Sequence, residues 1–218
     1  MDNIIAVLER SVRVCRISLT NVSSSDLEEM QQPFPELLFL FLQSVDMPVV
    51  PDSFLGGSAP RLRYIKLSNV PFPGLPKLLL STTHLVTLRL LYIPHSGYIS
   101  PEAIIAALSV LTSLEELTLR FQSPRSCPDR ASRRLPPSTR SVLPALTRLW
   151  FKGVTEYLDD LVASIDAPRL NDLQITFFND IVFDTPQLMQ FISRTPASRA
   201  LEKAHVTPRN DQISQPAQ

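Results

Sequence analysis

The sequence predicts an α/β fold: a curved solenoid with short parallel strands on the concave side and helices and coils on the convex side. Three observations predict it. One apolar motif recurs from end to end, helix-starting signals fall between its copies, and prolines stand at a fixed distance before several of them. The chain has 218 residues, with 21 basic and 21 acidic side chains, and its 20 prolines against 5 glycines invert the usual ratio. Zero net charge excludes indiscriminate steering toward nucleic acid or a membrane surface, although it leaves the distribution of charge open.

The recurring motif is apolar, two variable, apolar, one variable, apolar. Strong copies are Leu37-Leu40-Leu42, Leu62-Ile65-Leu67, Leu85-Leu88-Leu90, Leu114-Leu117-Leu119, Leu146-Leu149-Phe151 and Leu170-Leu173-Ile175. Weaker copies at the ends are Val14-Ile17-Leu19 and Leu201-Ala204-Val206. First anchors recur every 23 to 32 residues, which brackets the 20–29-residue leucine-rich repeat with some long units. A strand alternates faces with period two, so the second and third anchors of each copy point into one core. Residues 1–207 are accordingly expected to form one domain of about eight units, interrupted by an Arg/Pro/Ser-rich insert at 121–141, with a disordered polar tail at 208–218.

Returning segments follow the strands. A first helix is expected from about Asn3 to Arg10, and shorter turns or single coils at Val50 to Gly57 and Pro76 to Thr83. Ser100-Pro101-Glu102 opens the clearest helix, with Ser at the N-cap and Pro at the first helical position. Thr155 is expected to cap the helix of Leu158, Leu161, Val162 and Ile165, and Asp184-Thr185-Pro186 the helix of Leu188, Met189 and Ile192. Pro35, Pro60, Pro144 and Pro168 each stand two residues before a first anchor, where proline ends a return and begins an extended stretch.

Three stretches carry a family resemblance. Pro51 to Arg63 is similar to a turn into a strand, Leu108 to Leu119 to a helix-to-strand unit, and Leu143 to Leu170 to a complete repeat of the leucine-rich-repeat regions of fungal F-box proteins. Over about residues 34–196 the chain resembles that family, which implies substrate recognition within a ubiquitin-ligase receptor. Two departures qualify it. Many such repeats place Asn or Cys three residues after the third anchor, whereas here stand Val22, Val45, Val70, Ile93, Val154 and Phe178, so no asparagine ladder is expected there. The resemblance also implies an F-box upstream of the repeats. Phe34-Pro35-Glu36-Leu37-Leu38 resembles the opening of one, but runs straight into a repeat strand. Docking to a ubiquitin-ligase adaptor is expected only if an F-box lies upstream.

Function is expected on the variable strand positions, which project from the concave side. These positions carry seven basic and two acidic residues, and the chain's one tryptophan. The expected partner-binding residues are Tyr64, Lys66, Arg89, Arg120, Arg148, Trp150 and Lys152, and the expected partner is an acidic protein segment. Trp, Tyr and Arg are the types that most often dominate interface energy. The insert holds Arg125, Arg130, Arg133, Arg134 and Arg140 against Asp129, and offers Ser123, Ser126 and Ser138 as possible phosphorylation sites. It has no interleaved aromatics, so a nucleic-acid role is not favoured.

Catalysis is not expected. His84, His95 and His205 fall in different repeats, there is no glycine-rich phosphate loop, and neither Cys15 nor Cys127 has metal-ligand spacing to a histidine. Asp159-Asp160 is read as a solvated helix face rather than an acid/base pair. No cofactor or metal is expected. The longest apolar run, Leu37 to Leu42, is far too short to cross a bilayer. The start lacks the pattern of a signal peptide, which leads to an expectation of an intracellular chain, cytoplasmic or nuclear, with two free thiols.

Overall fold

The structure is a computed structural model and describes residues 11–126, 140–178, 185–195 and 205–208. The helix expected at Asn3 to Arg10, residues 127–139 of the insert, the anchors Leu201 and Ala204 and the tail after Pro208 lie outside the described residues. Eight strands form one sheet: β1 (Arg16–Thr20), β2 (Phe39–Gln43), β3 (Tyr64–Ser68), β4 (Thr87–Ile93), β5 (Glu116–Phe121), β7 (Arg148–Gly153), β9 (Asp172–Phe177) and β10 (His205–Pro208). They lie side by side in chain order, and every pair is parallel. A second, two-stranded parallel sheet pairs β6 (Ser141–Val142) with β8 (Ile165–Asp166).

The motif sets the register. Ile17, Leu40, Ile65, Leu88, Leu117, Leu149 and Leu173 stand opposite one another from strand to strand, and Leu19, Leu42, Leu67, Leu90, Leu119, Phe151 and Ile175 form the next such row. All are buried in one hydrophobic cluster except Leu19, which packs against it. Six units enter their strands by the same hydrogen bonds. The first anchor's N–H donates to the carbonyl three residues back, as in Leu37 to Phe34, Leu62 to Ala59, Leu85 to Thr82, Leu114 to Leu111, Leu146 to Leu143 and Leu170 to Ala167. The next two N–H groups share one carbonyl of the preceding unit; Arg63 and Tyr64, for example, both donate to Leu38. Pro35, Pro60, Pro144 and Pro168 therefore occupy the second position of a tight turn, where the ring presets the required φ. Their position is as expected, and the turn supplies its physical reason.

The returns carry α1 (Ser24–Glu29), α2 (Leu75–Leu79), α3 (Pro101–Leu108), α4 (Thr155–Ala163) and α5 (Pro186–Arg194), with a 3-10 turn at Phe54–Gly57. From α2 onward each helix packs on the next, and their apolar faces join the same core as the strands. Ser100 caps α3 as expected, its Oγ accepting from the Ala103 N–H at 3.3 Å. Two other caps differ. Thr155 is the first helical residue, behind Val154, and Thr185 occupies the cap position of α5 without a side-chain cap bond. The α5 start is capped instead by Asp159 of α4, whose Oδ1 accepts from the Gln187 and Leu188 N–H groups at 3.2 and 3.1 Å. Asp159 is buried, which corrects its reading as a solvated side chain. Helix α1 was not expected; a capping box of Ser23 and Asp26 starts it.

Beyond the third anchors, Val22, Val70 and Ile93 are buried whereas Val45 is exposed, so apolar packing fills the position of an asparagine ladder in three of these units. Backbone stitching occurs one residue earlier. Ser44 Oγ donates to the Val22 carbonyl at 2.8 Å, and Asn69 Nδ2 donates to the Ser44 carbonyl at 2.9 Å. Asn21, Asn69 and Tyr92 occupy this same earlier position, all with left-handed φ of 55°, 57° and 52°.

Candidate functional site

The variable strand positions form three rows on the face opposite the core. The first row runs Arg16, Phe39, Tyr64, Thr87, Glu116, Arg148, Asp172; the second Ser18, Phe41, Lys66, Arg89, Thr118, Trp150, Gln174; the third Thr20, Gln43, Ser68, Leu91, Arg120, Lys152, Thr176. All seven expected binding residues lie in these rows. Six basic and two acidic side chains share the face across the strands from β1 to β9.

The cations on this face are not equivalent. Glu116 is only 2% exposed and sits between Arg89 and Arg148. Arg89 grips it with two bonds, Nε to Oε1 and Nη2 to Oε2 at 3.0 Å, and Arg148 Nη2 donates to Oε2 at 3.2 Å. The hydrogen bond that Arg89 donates to Glu116 raises the guanidinium above its ordinary pKa; burial opposes this, while the Glu116 charge and Tyr64 add to it. A base raised in the folded state stabilises it at every lower pH and loses that contribution only as pH climbs through the raised value. Arg89 therefore contributes through the whole neutral range. Its guanidinium lies 6.0 Å from the Trp150 ring centroid, and the Trp150 Nε1–H donates to Asp172 Oδ2 at 3.1 Å. In the second row, Thr118 between Arg89 and Trp150 is 1% exposed, with no partner for its hydroxyl among the described residues.

Toward β1 the cations lie on rings. The Arg16 guanidinium is 4.0 Å from the Phe39 centroid, Phe39 stacks on Tyr64 at 4.4 Å with 8° between planes, and the Lys66 ammonium is 4.8 Å from the Phe41 centroid. Such contacts hold a cation without neutralising it. Arg16 and Tyr64 flank Phe39 from the two neighbouring strands, so both faces of that ring are occupied and neither is a platform for a nucleobase. Arg120 is exposed and forms no hydrogen bond or ion pair with any described residue, while Lys152 lies 5.1 Å from the Phe178 ring centroid.

The sequence pattern predicted membership of this face but not the pairing within it. Glu116 was visible at a strand position, yet nothing in its spacing marks it as the buried link between two arginines. Phe39 and Phe41 join the expected residues on this face, and their alternation with Leu40 and Leu42 is the sequence signal for it. Among the described residues, no group of three or more His, Cys, Asp or Glu side chains is placed to hold a metal ion, and no helix is long and apolar enough to cross a membrane.

No protein-family model, curated protein or solved structure matches this chain. What the face offers is area, half-buried aromatic rings and an excess of positive charge, which suits recognition of an anionic surface.

Proposed function

We propose that the chain is a leucine-rich-repeat solenoid and acts as a non-catalytic protein-interaction module, receiving an acidic protein segment on its concave strand face. The observation that carries this reading is the register, which gathers six cations and two acids with aromatic rings on one face. The repeated strand-entry hydrogen bonds and the continuous anchor rows support the solenoid. Repeats of this kind present their variable strand positions on an extended surface.

The one tryptophan, Trp150, lies on the face, so its emission reports occupancy directly. Titration with a ten-residue polyglutamate peptide is expected to change that emission, with an affinity that falls as salt is raised. An equal response to a polylysine peptide, or no response to either, overturns the reading.

A further inference from the structure

Three cations on the face bond to no carboxylate among the described residues: Arg16 and Lys66, which lie over rings, and Arg120, which is exposed. Their positions form a pattern. Arg16 is in the first row on β1, Lys66 in the second row on β3, and Arg120 in the third row on β5. Each step crosses two strands and advances two residues. With strands roughly 4.8 Å apart and a two-residue rise of roughly 6.6 Å, successive cations are about 12 Å apart along one diagonal. Phe41 flanks the line between the first two, and Leu91 the line between the second two; both are half-buried.

We infer that this diagonal, rather than the Arg89–Arg148 centre, is the docking line for the acidic partner. The proposal rests on the reading of the face as a receptor for an acidic segment, and names that segment's pattern. Charge complementarity chooses the line. Glu116 already bonds both Arg89 and Arg148, so a partner carboxylate arriving there competes with a buried internal one. At Arg16, Lys66 and Arg120 it meets an unneutralised charge. An extended chain advances about 3.3 Å per residue, so the matching partner carries carboxylates three to four residues apart, with apolar residues between them to cover Phe41 and Leu91. The internal bridge at Glu116 is the template: what this carboxylate does for two arginines, the partner's carboxylates do for the diagonal.

The test uses two labelled peptides of identical composition on the full chain, read by fluorescence anisotropy. One has three glutamates separated by three residues with leucine between them; the other has the glutamates contiguous. Tighter binding of the spaced peptide by tenfold or more is expected. Arg120→Gln and Lys66→Gln should each weaken it at least fivefold, whereas Arg148→Gln should change it less than twofold. These side chains lie on the face opposite the core, and native circular dichroism with a cooperative melt confirms that the variants fold. Equal binding of both peptides, still sensitive to Arg120→Gln, overturns the spacing and keeps the receptor reading. Loss of binding with Arg148→Gln but not Arg120→Gln overturns the diagonal. Binding of neither peptide overturns both.

Discussion

The two ends of the sheet are stitched together by different chemistry. Around β1 to β3 the units are joined by neutral groups: Ser44 to the Val22 carbonyl, Asn69 to the Ser44 carbonyl, and Phe39 stacked on Tyr64. The ion pair found there, Arg61 with Glu36, is exposed, and such pairs contribute little. From β5 onward carboxylates are added to the neutral stitches, which there include Thr147 Oγ1 to the Glu115 carbonyl and the packed rings of Phe121, Phe151 and Tyr157. Glu116 links Arg89 and Arg148, Asp172 takes the Trp150 indole, Asp159 caps the next helix, and Asp166 accepts from Arg194 at 3.1 Å. Acids used as mortar are unavailable to offset other charge. Arg89 and Arg148 are thereby tied to Glu116, whereas Arg16 and Lys66 toward β1 rest on rings and Arg120 on β5 is exposed, so these three keep their charge for a partner.

Both halves share one core, and the largest effect should come from breaking it where they meet. Leu88 on β4 is fully buried between Ile65 and Leu117. Leu88→Asp loses a packed leucine and buries an unpaired charge, a combined cost of at least about 4 kcal/mol. Urea unfolding should lose its cooperative transition, and amide protection should vanish in both halves together. Protection that survives in β1 to β3 alone would show that the two halves have separate cores.

A smaller and local effect is expected from Glu116→Gln. It keeps the shape but removes the charge that two guanidinium groups share, at roughly 1.5 to 3 kcal/mol for a buried charged hydrogen-bond centre. The lower end applies here, because the Arg89 and Arg148 side chains remain 31% and 45% exposed and water can take up their charge. The urea midpoint should fall, whereas Lys66→Gln, which only lifts a cation from a ring, should move it much less. Equal shifts from the two variants would erase the distinction between mortar and free charge.

Asp159→Ala tests the same idea on the helical side. Losing the cap on α5 should cost about 1 kcal/mol, read as faster amide exchange at Gln187 and Leu188 while α3 is unaffected. An unchanged exchange rate there would mean that α5 is held by Leu188 and Phe191 in the core alone.

The anchors and the face were legible in the sequence because both depend on alternation along a single strand: Leu40 and Leu42 point inward, Phe39 and Phe41 outward, whatever the neighbours are. The stitches were not, because they depend on partners in other units. Glu116 bonds Arg89, 27 residues before it, and Arg148, which lies beyond the insert. Asp159 caps backbone 28 residues downstream, so its own helix, with Leu158 and Leu161 inward, suggested only an outward acid. Helix α1 went unseen because its capping box closes with Asp26 in place of the usual Glu or Gln, and the helix is only six residues long. The carboxylate that decides which cations are free is thus a tertiary feature laid over a pattern written locally.

The smallest expected effect lies where the two ends adjoin. Asn21 and Asn69 place a residue type that, among those with a side chain, tolerates a left-handed conformation well at the position two after the third anchor, and β4 places Tyr92 there with φ of 52°. The Tyr92 side chain is 53% exposed, so little packing opposes the change. Tyr92→Asn should relieve the backbone and, with the bond from the Asn69 N–H to the Leu91 carbonyl unchanged, raise stability by about 0.5 kcal/mol. A rise in the urea midpoint, absent from Tyr92→Phe, would confirm backbone relief as its cause. A fall would mean that the half-covered ring contributes more than the strained φ costs, and that the neutral stitching of the first units ends before β4.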